Sequence, residues 1–231
     1  MEILKTFEVE KPYATFKILG FPHGFVIPPS RSICDYARKL YESCDIIGLE
    51  GSTGFYTKFI WRKILGDTWK SNYFFCDFPD YAYSEVVTKY LGETVVFGTA
   101  QNLLIPIMPL LYVNPKTGLR NPYFAEEREF EILRPESNII EVIKSRITSG
   151  MLSKEIILIL TKVRSAWMAD ELDRMALKYE GKKIGFLGGS LHRQEVAHFL
   201  IADEYRKEYL KSYMKELLPK SYEKAEKQGR L

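Results

Sequence analysis

Two apolar runs in this chain each end on the same phrase, Gly-x-x-His. The first is Ala14-Thr15-Phe16-Lys17-Ile18-Leu19, which leads into Gly20-Phe21-Pro22-His23. The second is Lys183-Ile184-Gly185-Phe186-Leu187-Gly188, which leads into Gly189-Ser190-Leu191-His192. Short apolar runs rich in β-branched and aromatic residues and bounded by glycine read as strands. Both histidines therefore stand just past the carboxyl end of a strand. With 15 glycines and 3 histidines in 231 residues, chance alone gives roughly 0.2 such phrases. One in each half of the chain points to a pseudo-symmetric α/β core. The carboxyl edge of such a sheet is where open α/β folds bind their ligands.

The elements between these phrases fit the same reading. Ile3 to Val9 and Ala14 to Leu19 are expected as short strands around a turn at Lys11-Pro12. Ser30 is a suitable N-cap for a helix over 31–42, whose Ile33, Tyr36, Ala37, Leu40 and Tyr41 recur at helical spacing. The run Asp45-Ile46-Ile47-Gly48-Leu49 is a buried strand ending on Glu50. Strand, helix and strand in that order predict a parallel βαβ pair. A helix opened by Thr53 or Gly54 should run to Leu65, Asn72 to Phe78 reads as a further strand, and Asp80 should cap a helix over 81–91. The stretch from Leu103 to Gly118 resists assignment and marks an insertion or lid over about 92–150. A long helix is expected from Lys154 to Tyr179, capped by Ser153 with Gly181 past its end, and a short one from Gln194 to Ile201.

The predicted fold is a single pseudo-symmetric α/β domain over 1–202, with a mixed, mostly parallel sheet flanked by helices and two strand-Gly-x-x-His units. Residues 203–231 form a basic tail whose amphipathic helix should run to about 218, where Pro219 stops it. Net charge is +3, and the stretch from Arg206 to Leu231 alone holds eight Lys or Arg against four Glu. Tyr205, Tyr209, Tyr213 and Leu217 recur every fourth residue there. That stripe suits docking on the body of the protein, and no nucleic-acid motif accompanies the charge. Cys34, Cys44 and Cys76 lack C-x-x-C spacing, which argues against a disulfide framework or thiolate zinc site and suits a cytoplasmic setting. The longest apolar stretch, Leu103 to Val113, is too short for a transmembrane segment.

The rim residues carry the candidate chemistry. Glycine three residues before each histidine lets the backbone turn sharply, and two such loops on neighbouring strands would face His23 towards His192. Glu50 ends the next strand on the same rim. Two imidazoles and a carboxylate can hold a divalent ion with positions left open for water and substrate, and such an ion activates bound water. Arg164 shares a helical face with Leu160 and Trp167, so it must pair with a carboxylate or reach into a cleft. His198 reads as a packing or surface residue.

These residues resemble the TraB domain family, which includes the pheromone-shutdown proteins and the Tiki proteases and is related to the erythromycin esterases and ChaN-type haem-binding proteins. The resemblance rests on Ile18-Leu19-Gly20-Phe21-Pro22-His23, then Asp45-Ile46-Ile47-Gly48-Leu49-Glu50, then Arg164 with Trp167-Met168-Ala169, then Gly189-Ser190-Leu191-His192. It implies one pocket lined by His23, Glu50, Arg164 and His192, loops permitted by Gly20 and Gly189, and Asp77 as the aspartate of the next strand. Two departures stand out. Ser165 follows Arg164 where Tiki-like proteins have asparagine, and Phe97-Gly98-Thr99-Ala100-Gln101 mimics the first motif without its histidine.

The resemblance implies a divalent-metal hydrolase acting on peptides, with His23, His192 and Glu50 holding Mn, Co or Zn. Alternatively Glu50 would act as general base on a metal-bound water, with Arg164 clamping a substrate carboxylate or stabilising an oxyanion. Two alternatives stay open: a non-catalytic protein that sequesters a peptide or haem-like ligand, and a metal-free esterase with histidine as base. The expected partner is a peptide or small molecule, with no nucleic acid, and homo-oligomerisation is left open.

Overall fold

The computed structural model describes residues 6–21, 30–51, 55–69, 72–91, 155 and 158–231. Strand β1 (Phe7–Lys11) turns through Pro12 and Tyr13 into an antiparallel partner, β2 (Ala14–Phe21). At its start β2 is buried on alternate residues, and from Ile18 to Phe21 it is buried throughout. A parallel strand covered on both faces has that signature. Helix α1 (Arg31–Ser43) follows, with Ser30 Oγ accepting from the Ile33 amide as its cap. Then come β3 (Ile46–Leu49), α2 (Phe55–Leu65), a short 3-10 turn (Gly66–Thr68) and β4 (Tyr73–Phe75).

The chain divides into two compact units, residues 1–79 with 159–231, and residues 80–158. The second unit contributes α3 (Asp80–Leu91); the expected insertion lies outside the described residues. The first unit resumes with a π-helical turn (Ile159–Val163) and then α4 (Arg164–Lys178), β5 (Lys183–Gly189), α5 (Ser190–Ile201), α6 (Asp203–Leu217) and α7 (Pro219–Lys227). No helix among the described residues is long and apolar enough to cross a membrane.

The fold is α/β, with a five-stranded, mostly parallel sheet in the order β1-β2-β5-β3-β4. This corrects one expectation: β2 and β3 are parallel but do not pair. Strand β5 lies between them, with Phe16 and Ile46 both opposite Ile184. Nothing local marks this, because a strand's partner is chosen by burial across the whole sheet. One face packs Leu19, Phe21, Ile47, Leu49 and Leu187 against Ala37, Leu40 and Tyr41 of α1 and Trp61, Ile64 and Leu65 of α2. The other face receives α4 and α5. A Cβ on Gly48 would stand 2.5 Å from Leu172 Cδ2, and one on Gly20 would stand 2.7 Å from Arg193 Cβ and 2.9 Å from Ser190 Cα. At both positions glycine serves close approach of a helix to the sheet.

The tail helix α6 packs through Arg206, Tyr209, Leu210, Met214 and Leu217, spaced at i+3 and i+4. Tyr205 is 51% exposed and does not belong to that face, because a strict four-residue repeat drifts around a helix. Pro219 acts twice, closing α6 and standing at the first position of α7. Arg206 is 1% exposed and donates to Asp173 (2.8 Å), Asp203 (2.9 Å), Asp170 (3.3 Å) and the Phe199 carbonyl (3.0 Å). Lys11 Nζ joins from β1, 2.8 Å from Asp173 and 2.6 Å from Asp203, and the Tyr13 hydroxyl donates to Asp173 (2.6 Å). Part of the tail's positive charge thus lies inside an ion network joining three elements.

This network has a pH signature. Burial alone would raise Asp173, but hydrogen bonds from Lys11 and Tyr13 and the charge of Arg206 hold its carboxyl below the ordinary range. Its contribution is therefore present above that range and lost as pH falls through the depressed value. Burial raises Asp170 and Glu171, so both regain stability as they protonate. Burial lowers Lys11, but bonds to Asp173, Asp203 and Tyr13 raise it further, so its contribution fades only above the ordinary lysine range. Asp173→Asn is expected to destabilise the protein at about pH 7 and to do so by less at about pH 3, below the ordinary aspartate value. Urea unfolding at the two pH values measures this, and an equal gap at both would contradict it.

Candidate functional site

The ladder of β3 continues one residue past its end, because the Glu50 amide donates to the Leu187 carbonyl (3.0 Å). The Glu50 carbonyl accepts from Trp61 Nε1 (2.8 Å). Glu50 is thus held by β5 on one side and by a buried indole of α2 on the other. Gly51 follows at φ 108°, a backbone state that disfavours side chains, and its amide donates to Asp77 Oδ2 (2.9 Å). Asp77 stands two residues past β4, and its Oδ1 also accepts from the Phe78 amide (2.7 Å). Both carboxylates consequently sit at the carboxyl edge of adjacent parallel strands.

Arg164 reaches this edge from the first position of α4, directly after the π turn. Such turns interrupt the α-helical register and recur at functional sites. The guanidinium is bidentate on Asp77, with Nε 2.7 Å from Oδ1 and Nη2 2.5 Å from Oδ2. Nη2 also donates to Glu50 Oε1 (2.5 Å), and Nη1 lies 3.0 Å from His192 Nε2. The Gly189 amide donates to Glu50 Oε2, holding that carboxylate from the β5 side. Arg164, Glu50, Asp77 and His192 are all less than a tenth exposed. Among the described residues two carboxylates share one guanidinium in a buried site, where charge is expensive unless paired.

The hydrogen bonds also assign the tautomer of His192. Ser165 Oγ is 2.7 Å from the Thr161 carbonyl, which can only accept, so the one hydroxyl hydrogen goes there. Ser165 Oγ is also 2.8 Å from His192 Nδ1 and must accept from it. Nδ1 therefore carries hydrogen, and Nε2 is the lone-pair nitrogen that accepts from Arg164. Nε2 is 3.5 Å from Glu50 Oε1. The nearby Cys76 thiol is pushed well up, by burial first and then by the Asp77 and Glu50 charges, so it offers no thiolate nucleophile at neutral pH.

Of the residues singled out in the sequence, Glu50, Asp77, Arg164 and His192 come together. His23 lies outside the described residues. Gly20 and Gly189 close neighbouring strand ends, since Gly20 pairs with Gly188 and Phe21 with Gly189. The loop expected after Gly20 lies outside the described residues, and at Gly189 the role differs from the expected loop. Gly189 has φ −65°, ψ 144°, and α5 starts at Ser190, four residues before the expected start, so His192 sits in the first helical turn. Instead, Gly189 lets Glu50 approach: a Cβ there would stand 3.1 Å from Oε2. The long helix before β5 is likewise interrupted by the π turn rather than continuous from 154.

The expected metal set can be tested only on its described members. Glu50 and His192 turn Oε1 and Nε2 towards the guanidinium of Arg164. Nδ1 of His192 is engaged by Ser165, and both oxygens of Asp77 accept from two donors each. Among the described residues no group of three or more His, Cys, Asp or Glu is placed to hold a metal ion. The described residues thus gather around a guanidinium, and His23, the third expected ligand, lies outside them. No family model, curated protein or solved structure matches this chain.

Proposed function

We propose that this chain is a hydrolase of ester or peptide bonds in which His192 is the general base and Arg164 supports the oxyanion, without a metal ion. The observation that supports this reading best is the buried imidazole whose Nε2 faces Arg164 and Glu50 at the carboxyl edge of the sheet. Imidazole is the side chain suited to taking and returning a proton near neutral pH. The resemblance to TraB domains and their esterase relatives points to the same class of chemistry.

In the reaction, a water takes the place of the Arg164 N–H at Nε2, a rearrangement in keeping with the loose geometry of catalytic groups before substrate binds. Nε2 removes a proton from the water as its oxygen bonds to the acyl carbon. The carbonyl electron pair moves to oxygen, where the charge of Arg164 stabilises it. Glu50, 3.5 Å from Nε2, offsets the charge gained by the imidazole. Collapse of the intermediate breaks the C–O or C–N bond, and Nε2 returns the proton to the leaving group. Asp77 meets Arg164 through two oxygens and fixes its plane; it is a positioning residue.

Turnover of a panel of nitrophenyl esters and short peptides, assayed with and without EDTA, tests the proposal. The expected result is hydrolysis that persists in chelator. Activity lost to EDTA and restored by Mn²⁺, Co²⁺ or Zn²⁺ would replace it with the metal-dependent reading. No turnover on any substrate would leave the ligand-binding reading in front.

A further inference from the structure

We infer that Ser165 is a positioning residue that selects which nitrogen of His192 is basic. The inference rests on the reading of His192 as general base, but the geometry behind it concerns the tautomer alone. Ser165 is fully buried and its hydroxyl is committed at both ends, donating to Thr161 O and accepting from His192 Nδ1. A serine that donates to the carbonyl four residues earlier has no hydrogen left to give. Opposite a ring nitrogen it therefore acts as an acceptor, and it stabilises only tautomers that carry hydrogen on Nδ1.

Arg164 makes the complementary demand on the other side of the ring. A guanidinium has donors and no acceptor, so its Nη1, 3.0 Å from Nε2, disfavours hydrogen on that nitrogen. Two consecutive residues of one helix thus bracket the imidazole, one requiring a donor at Nδ1 and the other an acceptor at Nε2. Both requirements fall on the same neutral form. The Tiki-like pattern has asparagine after its arginine, and an amide could present either an acceptor or a donor to the ring. The hydroxyl tied to Thr161 presents only an acceptor, so the departure at Ser165 carries a definite chemical sense.

The direct test is 15N NMR of histidine-labelled protein, which is tractable because the chain has three histidines. In the wild type, His192 should show a protonated Nδ1 and an unprotonated Nε2. Ser165→Ala removes this acceptor and should shift the equilibrium towards the Nε2–H form by about tenfold. Ser165→Thr keeps the hydroxyl and its bond to Thr161 and should restore the wild-type spectrum. In turnover, Ser165→Ala should lower kcat by about tenfold or more with KM little changed, the pattern of a misdirected base. An unchanged His192 tautomer in Ser165→Ala would overturn the inference whatever the activity. A shifted tautomer in a protein that hydrolyses nothing would uphold the positioning role and fail the hydrolase reading instead.

Discussion

Arg164→Met is expected to destabilise the protein by about 3–5 kcal/mol, the cost of leaving a buried charge without its partner. Arg164 is 5% exposed and is the cation shared by Glu50 and Asp77, which are 8% and 7% exposed. Methionine fills much of the same volume but offers no donor to the four acceptor atoms of Asp77, Glu50 and His192 that now receive N–H bonds. Two buried carboxylates would then face each other, and one must take up a proton to relieve the repulsion. Adding Asp77→Asn to Arg164→Met should therefore recover part of the loss, and so should mild acid. Arg164→Lys should fall between, since a single ammonium cannot reach both oxygens of Asp77 while also meeting Glu50 and His192. Urea unfolding measures all three variants. A loss under about 1 kcal/mol for Arg164→Met would mean that the guanidinium does not hold these carboxylates in solution.

His192→Gln should lower kcat by about 10²–10⁴-fold with little effect on folding. The amide oxygen of glutamine can accept from Arg164, so the guanidinium keeps a partner on that side. Glutamine cannot hold a proton, so water activation is lost while the packing survives. A variant that folds like the wild type and keeps its rate would remove His192 from the chemistry. Comparing its loss with that of Ser165→Ala separates the base from the residue that orients it. The first should abolish the dependence on a titrating base, and the second should leave it in place at a lower rate.

Much of this arrangement was legible in the sequence because it depends on where strands end. Glu50 and Asp77 follow apolar runs directly, and the Gly-x-x-His phrase located the end of β5. Arg164 stood out as a charged residue on an apolar helical face, and it does pair with carboxylates. Other features have no local signature. The π turn before Arg164 is a change of helical register that composition does not reveal. The place of β5 between β2 and β3 is decided by global burial. Ser165 was visible only as a missing amide; the clue to its role was Thr161 four residues earlier, the spacing at which a serine bonds back to a carbonyl. The ion network of Lys11, Asp173 and Arg206 was hidden for another reason. Asp170 with Asp173, and Asp203 with Arg206, look like ordinary surface charges until the tail helix is seen packed over them.

The order β1-β2-β5-β3-β4 also constrains how the chain can fold. The strand at the middle of the sheet is the last to be made, and every parallel pair except β3 with β4 needs it. As the chain emerges during synthesis, Phe16, Ile18 and Ile47 have to wait for Ile184 and its neighbours, with the whole of the 80–158 unit threaded in between. Pairings this distant in sequence close slowly, because the loop entropy must be met before the contacts reward it. Until then β2 and β3 present apolar, unpaired edges to their surroundings. Refolding should accordingly be limited by the arrival of β5. The last event that completes the sheet is also the one that delivers His192 to Glu50 and Arg164, so the site cannot exist before the core does.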